Sequence, residues 1–288
     1  MRRAALMLVA GALSFAAVAC SGDDSSPRAV AATTAAQTTT TVAIASSFKP
    51  GDRYVALGSS IASGFGISVQ STSCGRSNRN YPHLIAQRYG LRLVDVTCGA
   101  ATIGNVLDTP QGDHPAQIAA VTPDTKLVTV TAGGNDIGYN GKAIVCGDPA
   151  NTCTASPTLQ KDLAATRVAL KSMIEKIKTA APSATTVFVT YPREVPANTN
   201  CPALSFTDAE AGILRSMGEQ LESLFVAVAK QPGVVFVDPY VAPGDHTGCA
   251  PASQRWTAGH VADDGFAYHP TALGHRVMAD MIVKALGD

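Results

Sequence analysis

The hydrophobic pattern of the chain alternates between two periods. Short apolar runs of β-type residues predict buried strands at residues 53–57, 91–96, 126–131, 185–190 and 234–237. Longer segments with apolar positions at helical spacing lie at residues 81–89, 159–179, 208–229 and 271–286. Strands that alternate with helices predict a parallel sheet covered on both faces. We therefore expect a three-layer α/β/α domain with a central, mostly parallel five-stranded sheet.

The amino-terminal residues follow a different pattern. Arg2 and Arg3 precede an apolar stretch, which predicts a secretion signal over residues 1–19. Small residues directly before Cys20 resemble a bacterial lipobox, with Cys20 as the lipidated first residue of the mature protein; simple secretion is the alternative. Residues 20–47 are rich in Ser and Thr without periodicity and predict a disordered tether. The folded domain should span residues 48–288.

Six further cysteines follow the leader: Cys74, Cys98, Cys146, Cys153, Cys201 and Cys249. An even number in an exported chain predicts three disulfides, for which sequence alone allows fifteen connectivities. Most of these cysteines lie in the long loops predicted at residues 140–157, 193–207 and 239–268.

Charge and composition limit the kinds of partner and cofactor that we expect. The formal net charge is zero, and no basic cluster follows the leader, which argues against nucleic acid. The six histidines are scattered without a metal-binding motif, so we expect no metal or other cofactor. We expect a monomer that touches a membrane only through its lipid anchor.

The first stretch with chemical potential is YVALGSSIASGFG at residues 54–66. An apolar strand ends at Gly58, and Ser59 and Ser60 follow at once. A strand that ends in a tight turn with a hydroxyl can hold a nucleophile at the carboxyl edge of an α/β sheet. By itself, the stretch also fits an ordinary serine-rich turn.

Two later stretches add complementary groups. In TAGGND at residues 131–136, paired glycines permit close backbone approach, and Asn135 offers an amide donor suited to an oxyanion hole. In DDGFAYHPTALGH at residues 263–275, His269 precedes the last helix, where it can act as a general base.

Together these stretches resemble the SGNH/GDSL hydrolase family of serine esterases and lipases. The chain has GSSI at residues 58–61, GGND at 133–136 and HP at 269–270, in the family's order. The resemblance covers residues 48–288 and is greatest to secreted actinobacterial members, which also carry three disulfides and an Arg-Trp pair, here Arg255-Trp256. It implies a flavodoxin-like fold and an esterase or lipase activity.

The resemblance also implies roles for particular residues. Ser60 would be the nucleophile, and His269 its base and then the acid for the leaving alcohol. The Ser60 N–H and the Asn135 side chain would hold the oxyanion. A further N–H would come from Ala100, or from Gly99 one residue away.

The chain departs from the family pattern at three positions. Ser59 replaces the Asp of the first block, and Ala100 lies where the second block has Gly. Phe266 occupies the usual position of the acid, three residues before His269. We therefore predict a Ser–His dyad in which the backbone carbonyl of Phe266 orients His269, with the Asp263 side chain as the alternative.

The expected fold also suggests a disulfide pattern. Cys74 and Cys98 flank the first two family blocks, and Cys146 and Cys153 share one loop. The remaining two lie in loops after the fourth and fifth strands. We predict the pairs Cys74–Cys98, Cys146–Cys153 and Cys201–Cys249.

Other functions remain open at this point. An acyltransferase uses the same acyl-enzyme, and a catalytically weak, surface-anchored protein that binds glycan or lipid is a second alternative. The candidate substrates are triacylglycerol, phospholipid, short acetyl esters and wall-polysaccharide esters. An aromatic content of 6% favours a soluble or short-chain ester.

Overall fold

The computed structural model describes residues 48–68, 70 and 73–288. The predicted leader, Cys20 and the tether lie outside the described residues. Among the helices of the described part, none is both long and apolar enough to cross a membrane.

The described residues form a five-stranded sheet in the order β2-β1-β3-β4-β5, and all four strand pairs are parallel. The strands are β1 Arg53–Gly58, β2 Arg92–Asp95, β3 Thr125–Thr131, β4 Thr185–Val189 and β5 Val234–Val237. This order is that of flavodoxin-like folds. The predicted fold class is therefore confirmed.

Two groups of helices cover the sheet. One group pairs α2 with α7, and the other joins α5 to both α3 and α6. The helices are α1 Ser60–Ser63, α2 Tyr81–Tyr89, α3 Ile103–Leu107, α4 Tyr139–Gly147, α5 Leu159–Ala180, α6 Asp208–Ala229 and α7 Ala272–Ala285. Their apolar faces and the inner strands make one continuous hydrophobic core.

The sheet topology places a crevice beside β1. The chain order reverses between β1 and β3, and in open α/β sheets ligands bind at the carboxyl ends of strands at such a reversal. Ser60 follows the end of β1, and Asn135 follows the end of β3. The fold thus brings two of the predicted chemical stretches to one edge.

The loop predicted at residues 140–157 is partly helical, so this part of the prediction is wrong. Helix α4 occupies Tyr139–Gly147, although it contains Gly141 and ends at Gly147. Glycine disfavours helices, which explains why the sequence pattern gives no helix here. Ala143 and Cys146 are buried on one face of α4, which packs against α6, so tertiary contact stabilises the helix.

The described residues contain three disulfides, and their pairs are those we predicted. The Cα–Cα distances are 4.4 Å for Cys74–Cys98, 4.7 Å for Cys146–Cys153 and 5.8 Å for Cys201–Cys249. The third pair joins the loops that follow β4 and β5.

Candidate active site

A tight turn positions the serines after β1. Gly58 has a φ of +136°, and a Cβ at this position would lie 2.3 Å from the Thr131 carbonyl oxygen, so the turn requires glycine. The buried side chain of Gln117 accepts from the Gly58 N–H at 2.7 Å and donates to the Gly58 carbonyl at 3.0 Å. Gln117 therefore fixes both the N–H and the carbonyl of Gly58, the residue before the two serines.

The two serines point in different directions. The Ser60 Oγ lies 2.8 Å from His269 Nε2, across a sequence separation of 209 residues. The Ser59 Oγ instead lies 3.5 Å from the Thr131 carbonyl oxygen and 3.4 Å from the Tyr191 hydroxyl. The structure therefore pairs the predicted nucleophile, and not its neighbour, with the predicted base.

A backbone carbonyl orients His269, but it belongs to Ala267 and not to Phe266 as predicted. His269 Nδ1 donates to the Ala267 carbonyl oxygen at 2.8 Å. The Phe266 carbonyl accepts the backbone N–H of His269 at 3.1 Å, which closes a β-turn. Tyr268, the third residue of this turn, has a φ of +59°. A positive φ at this position is typical of a type II turn, in which the central peptide has the opposite orientation to that in a type I turn. The Ala267 carbonyl, which belongs to this peptide, therefore faces the imidazole.

The carboxylates near His269 are used elsewhere or exposed. Asp264 accepts a hydrogen bond from the Arg79 guanidinium at 2.8 Å and also binds Ser68. Asp263 is solvent-exposed. Within the described residues, no carboxylate hydrogen-bonds to His269, so the geometry does not favour the Asp263 alternative.

Burial affects the protonation state of His269, the predicted base. Desolvation lowers the pKa of His269 to about 4, and the hydrogen bond to Ala267 opposes this only in part. The imidazole is therefore neutral at neutral pH. Since Nδ1 carries the proton that binds Ala267, Nε2 is free to accept the Ser60 proton. A second buried histidine, His275, accepts the Tyr81 N–H at 3.1 Å, and burial lowers its pKa to about 3.

The segment around Arg255-Trp256 supports the histidine loop. The Ala258 N–H donates to the His269 carbonyl at 2.9 Å, and the Thr271 N–H donates to the Trp256 carbonyl at 2.8 Å. These bonds fix the backbone from the carbonyl of His269 to Thr271.

The predicted oxyanion residues lie on two adjoining loops. Asn135 opens a 3₁₀ turn, Asn135–Ile137, and its Nδ2 donates one hydrogen to the Ala101 carbonyl at 2.9 Å. An amide NH₂ has two hydrogens, so one remains available. The Gly99 N–H donates to the Cys74 carbonyl at 2.9 Å, whereas the Ala100 N–H has no acceptor among the described residues. Of the two alternatives, the geometry favours Ala100.

Several residues that organise the site were not predicted. The Tyr191 hydroxyl accepts the Gly134 N–H at 2.9 Å and so links the Asn135 turn to the serine turn. The Asp136 carboxylate accepts the Ile103 N–H at 3.1 Å. Tyr191 directly follows the predicted fourth strand, which is the only sequence signal for its position. Asp136 belongs to the GGND block, and Gln117 has no sequence signal.

A metal site does not fit the described residues. Cys74, Cys98 and His114 have potential ligand atoms within 4.8 Å of one another. The two sulfurs are bonded to each other, however, and a disulfide is not the thiolate that a metal requires.

A three-layer α/β/α fold, with a hydrogen-bonded serine–histidine pair at the topological reversal of its parallel sheet, defines the class of serine hydrolases. Residues 56–277 match the GDSL-like lipase/acylhydrolase family. The chain belongs to this family, and it is a carboxylic-ester hydrolase.

Curated relatives agree with this assignment. Lipase 2 of Streptomyces coelicolor is 31% identical over 252 residues, which cover 81% of this chain and 85% of the relative. A lipase of Streptomyces rimosus is 29% identical over 231 residues, with 77% and 81% coverage.

Solved structures show the same fold. The extracellular lipase of Streptomyces rimosus aligns with a TM-score of 0.65 and 25% identity, covering 82% of this chain and 100% of that one. Phospholipase A1 of Streptomyces albidoflavus aligns with a TM-score of 0.65 and 24% identity, covering 82% of this chain and 99% of that one.

Proposed function

We propose that the protein hydrolyses carboxylic esters through an acyl-enzyme on Ser60. The observation that carries the proposal is the 2.8 Å contact between Ser60 Oγ and His269 Nε2. His269 accepts the hydroxyl proton as Ser60 attacks the ester carbonyl, and returns it to the leaving alcohol. Water, activated by the same imidazole, then releases the acid and restores Ser60.

Three donors would stabilise the charge that develops on the carbonyl oxygen. The Ser60 N–H is the first of helix α1 and has no acceptor within the helix. The Ala100 N–H and the second hydrogen of Asn135 Nδ2 complete the set. The bond from Asn135 to the Ala101 carbonyl ties the side-chain donor to the loop that carries the backbone donor.

The base works as a dyad with Ser60. The Ala267 carbonyl fixes the tautomer of His269 without contributing a negative charge. The imidazolium that forms during the reaction is therefore stabilised by a dipole and not by a carboxylate.

We further propose that the protein is exported and acts as a monomer on a small-molecule ester. The secretion signal predicted at residues 1–19 and the three disulfides support export, since disulfides persist in oxidising compartments. Lipidation at Cys20 would retain the enzyme at the cell envelope. Mass spectrometry of the mature amino terminus tests this anchor: a diacylated cysteine is expected, and an unmodified cleaved terminus would contradict it.

Steady-state hydrolysis of p-nitrophenyl acetate tests the catalytic roles. Ser60→Ala and His269→Ala should each remove most activity, and the double variant should be little worse, because residues that act as one unit give non-additive losses. Ser59→Ala is the matched control and should keep a substantial fraction. Additive losses, or a dead Ser59→Ala enzyme, would contradict the assignment.

A further inference from the structure

Two phenylalanine rings lie against the imidazole of His269. The Phe266 ring meets the imidazole edge to face, with 5.1 Å between centroids. The Phe65 ring meets Phe266 in the same way at 5.1 Å and lies 6.3 Å from the imidazole. We call Phe65 and Phe266 the aromatic wall.

The wall reaches from the histidine to the loop of Ala100. A Cβ on Gly75 would lie 2.4 Å from the Phe65 ring, and a Cβ on Gly99 would lie 2.8 Å from it. Both positions must therefore lack a side chain for the ring to fit. Because Gly99 precedes Ala100, Phe65 fills the space between the oxyanion loop and the loop of the base.

The wall is held in place before any substrate binds. A Cβ on Gly66 would lie 2.6 Å from the Phe266 nitrogen, so the two loops are in close backbone contact. Asp264 joins the same loops through Arg79 and Ser68. A rigid wall loses little entropy on binding.

The wall is nevertheless open to solvent. Phe266 is 37% exposed, although large apolar side chains in this domain are mostly buried. An apolar ring fixed beside the reacting atoms gains free energy when another apolar group covers it. The proposed reaction places an ester at this point.

We propose that Phe65 and Phe266 form a subsite for the hydrocarbon chain of the ester. This inference rests on the proposed function and adds a substrate class to it. It favours esters with an alkyl chain over acetyl esters, in contrast to the short-chain substrate that the low aromatic content favours. The chain can belong to the acyl group or to the alcohol, and two substrate series distinguish these sources.

The experiment compares wild type with Phe266→Ala on p-nitrophenyl esters from acetate to octanoate, and on alkyl acetates from ethyl to octyl. In wild type, kcat/KM should rise with chain length in at least one series. In Phe266→Ala, KM for the octyl-length member of that series should rise roughly tenfold, of the order expected for lost apolar contact in a pocket. The rate on the acetyl ester should fall far less, and kcat should change little, because a chain-binding contact acts equally in the ground and transition states.

Two controls sharpen the result. Val168→Ala, on α5 and 69% exposed, removes exposed apolar surface elsewhere and should leave both series unchanged. Phe266→Leu keeps an apolar side chain and should retain most of the chain-length preference.

Identical chain-length profiles in wild type and Phe266→Ala would overturn the subsite. An equal loss of kcat on every ester would also overturn it, because Phe266 would then act only by positioning His269. Absence of any ester hydrolysis by wild type would instead contradict the proposed function itself.

Discussion

Asp263→Asn and Asp264→Asn, made separately, remove the two carboxylates that precede His269 most closely. In a Ser-His-Asp site, the change of Asp to Asn lowers kcat by about 10⁴-fold, because the imidazole then adopts the wrong tautomer. In this protein the Ala267 carbonyl accepts from Nδ1 at 2.8 Å and selects the tautomer. Neither substitution alters that bond, so both variants should retain kcat within about tenfold, far short of the triad loss.

The two variants should still differ slightly. Asp263 is exposed and should have almost no effect. Asp264 forms an ion pair with Arg79 whose side chains are 40% and 41% exposed, and such surface pairs contribute at most about 1 kcal/mol. Loss of this pair loosens the loop that carries His269, which corresponds to a rate effect of a few-fold at most.

The assay is kcat and kcat/KM on p-nitrophenyl acetate, with circular dichroism to verify the fold. Asp108→Asn, which removes a comparable exposed pair with Lys176, is the matched control. A thousandfold or greater fall in kcat for Asp263→Asn, with the fold intact, would refute the dyad and make Asp263 the third member of a triad.

Three further outcomes follow from the site. Burial lowers the pKa of His269 to about 4, and only the neutral imidazole accepts a proton. The pH profile of kcat/KM should therefore rise with a midpoint at about 4 and level off above it. A midpoint near 6.5 would contradict the effect of burial on this pKa. Asn135→Ala should lower kcat by roughly 10²–10³-fold with little change in KM, whereas a change mainly in KM would make Asn135 a substrate-binding residue. Tyr191→Phe leaves the buried Gly134 N–H without its acceptor and should lower the free energy of unfolding, measured by urea titration, by about 1–3 kcal/mol. An unchanged urea midpoint would show that this hydrogen bond does not stabilise the fold.

The sequence predicts the sheet well because buried parallel strands leave short apolar runs with clear ends. It also identifies Ser60, Asn135 and His269 as candidates, because each lies a few residues from the end of a predicted element, within a family block. The approach of Ser60 and Asn135 to one edge then follows from the strand order, whereas His269 lies in the long loop between β5 and α7.

The remaining features depend on contacts that no local pattern encodes. His269 binds the carbonyl of Ala267 and not that of Phe266 because Tyr268 has a positive φ. Non-glycine residues rarely adopt a positive φ, so the sequence does not predict this conformation. The Gln117 side chain accepts the Gly58 N–H, 59 residues away, and the Tyr191 hydroxyl accepts the Gly134 N–H, 57 residues away. Such long-range polar contacts become visible only when the fold is complete.

We propose that Ser60 is the nucleophile and that His269 activates it. Covalent labelling with a fluorophosphonate, followed by mass spectrometry of the modified peptide, tests this most directly. We predict a single adduct on Ser60 in wild type and in Ser59→Ala, none in Ser60→Ala, and strongly slowed labelling in His269→Ala. An adduct on Ser59, or undiminished labelling of Ser60→Ala, would contradict it.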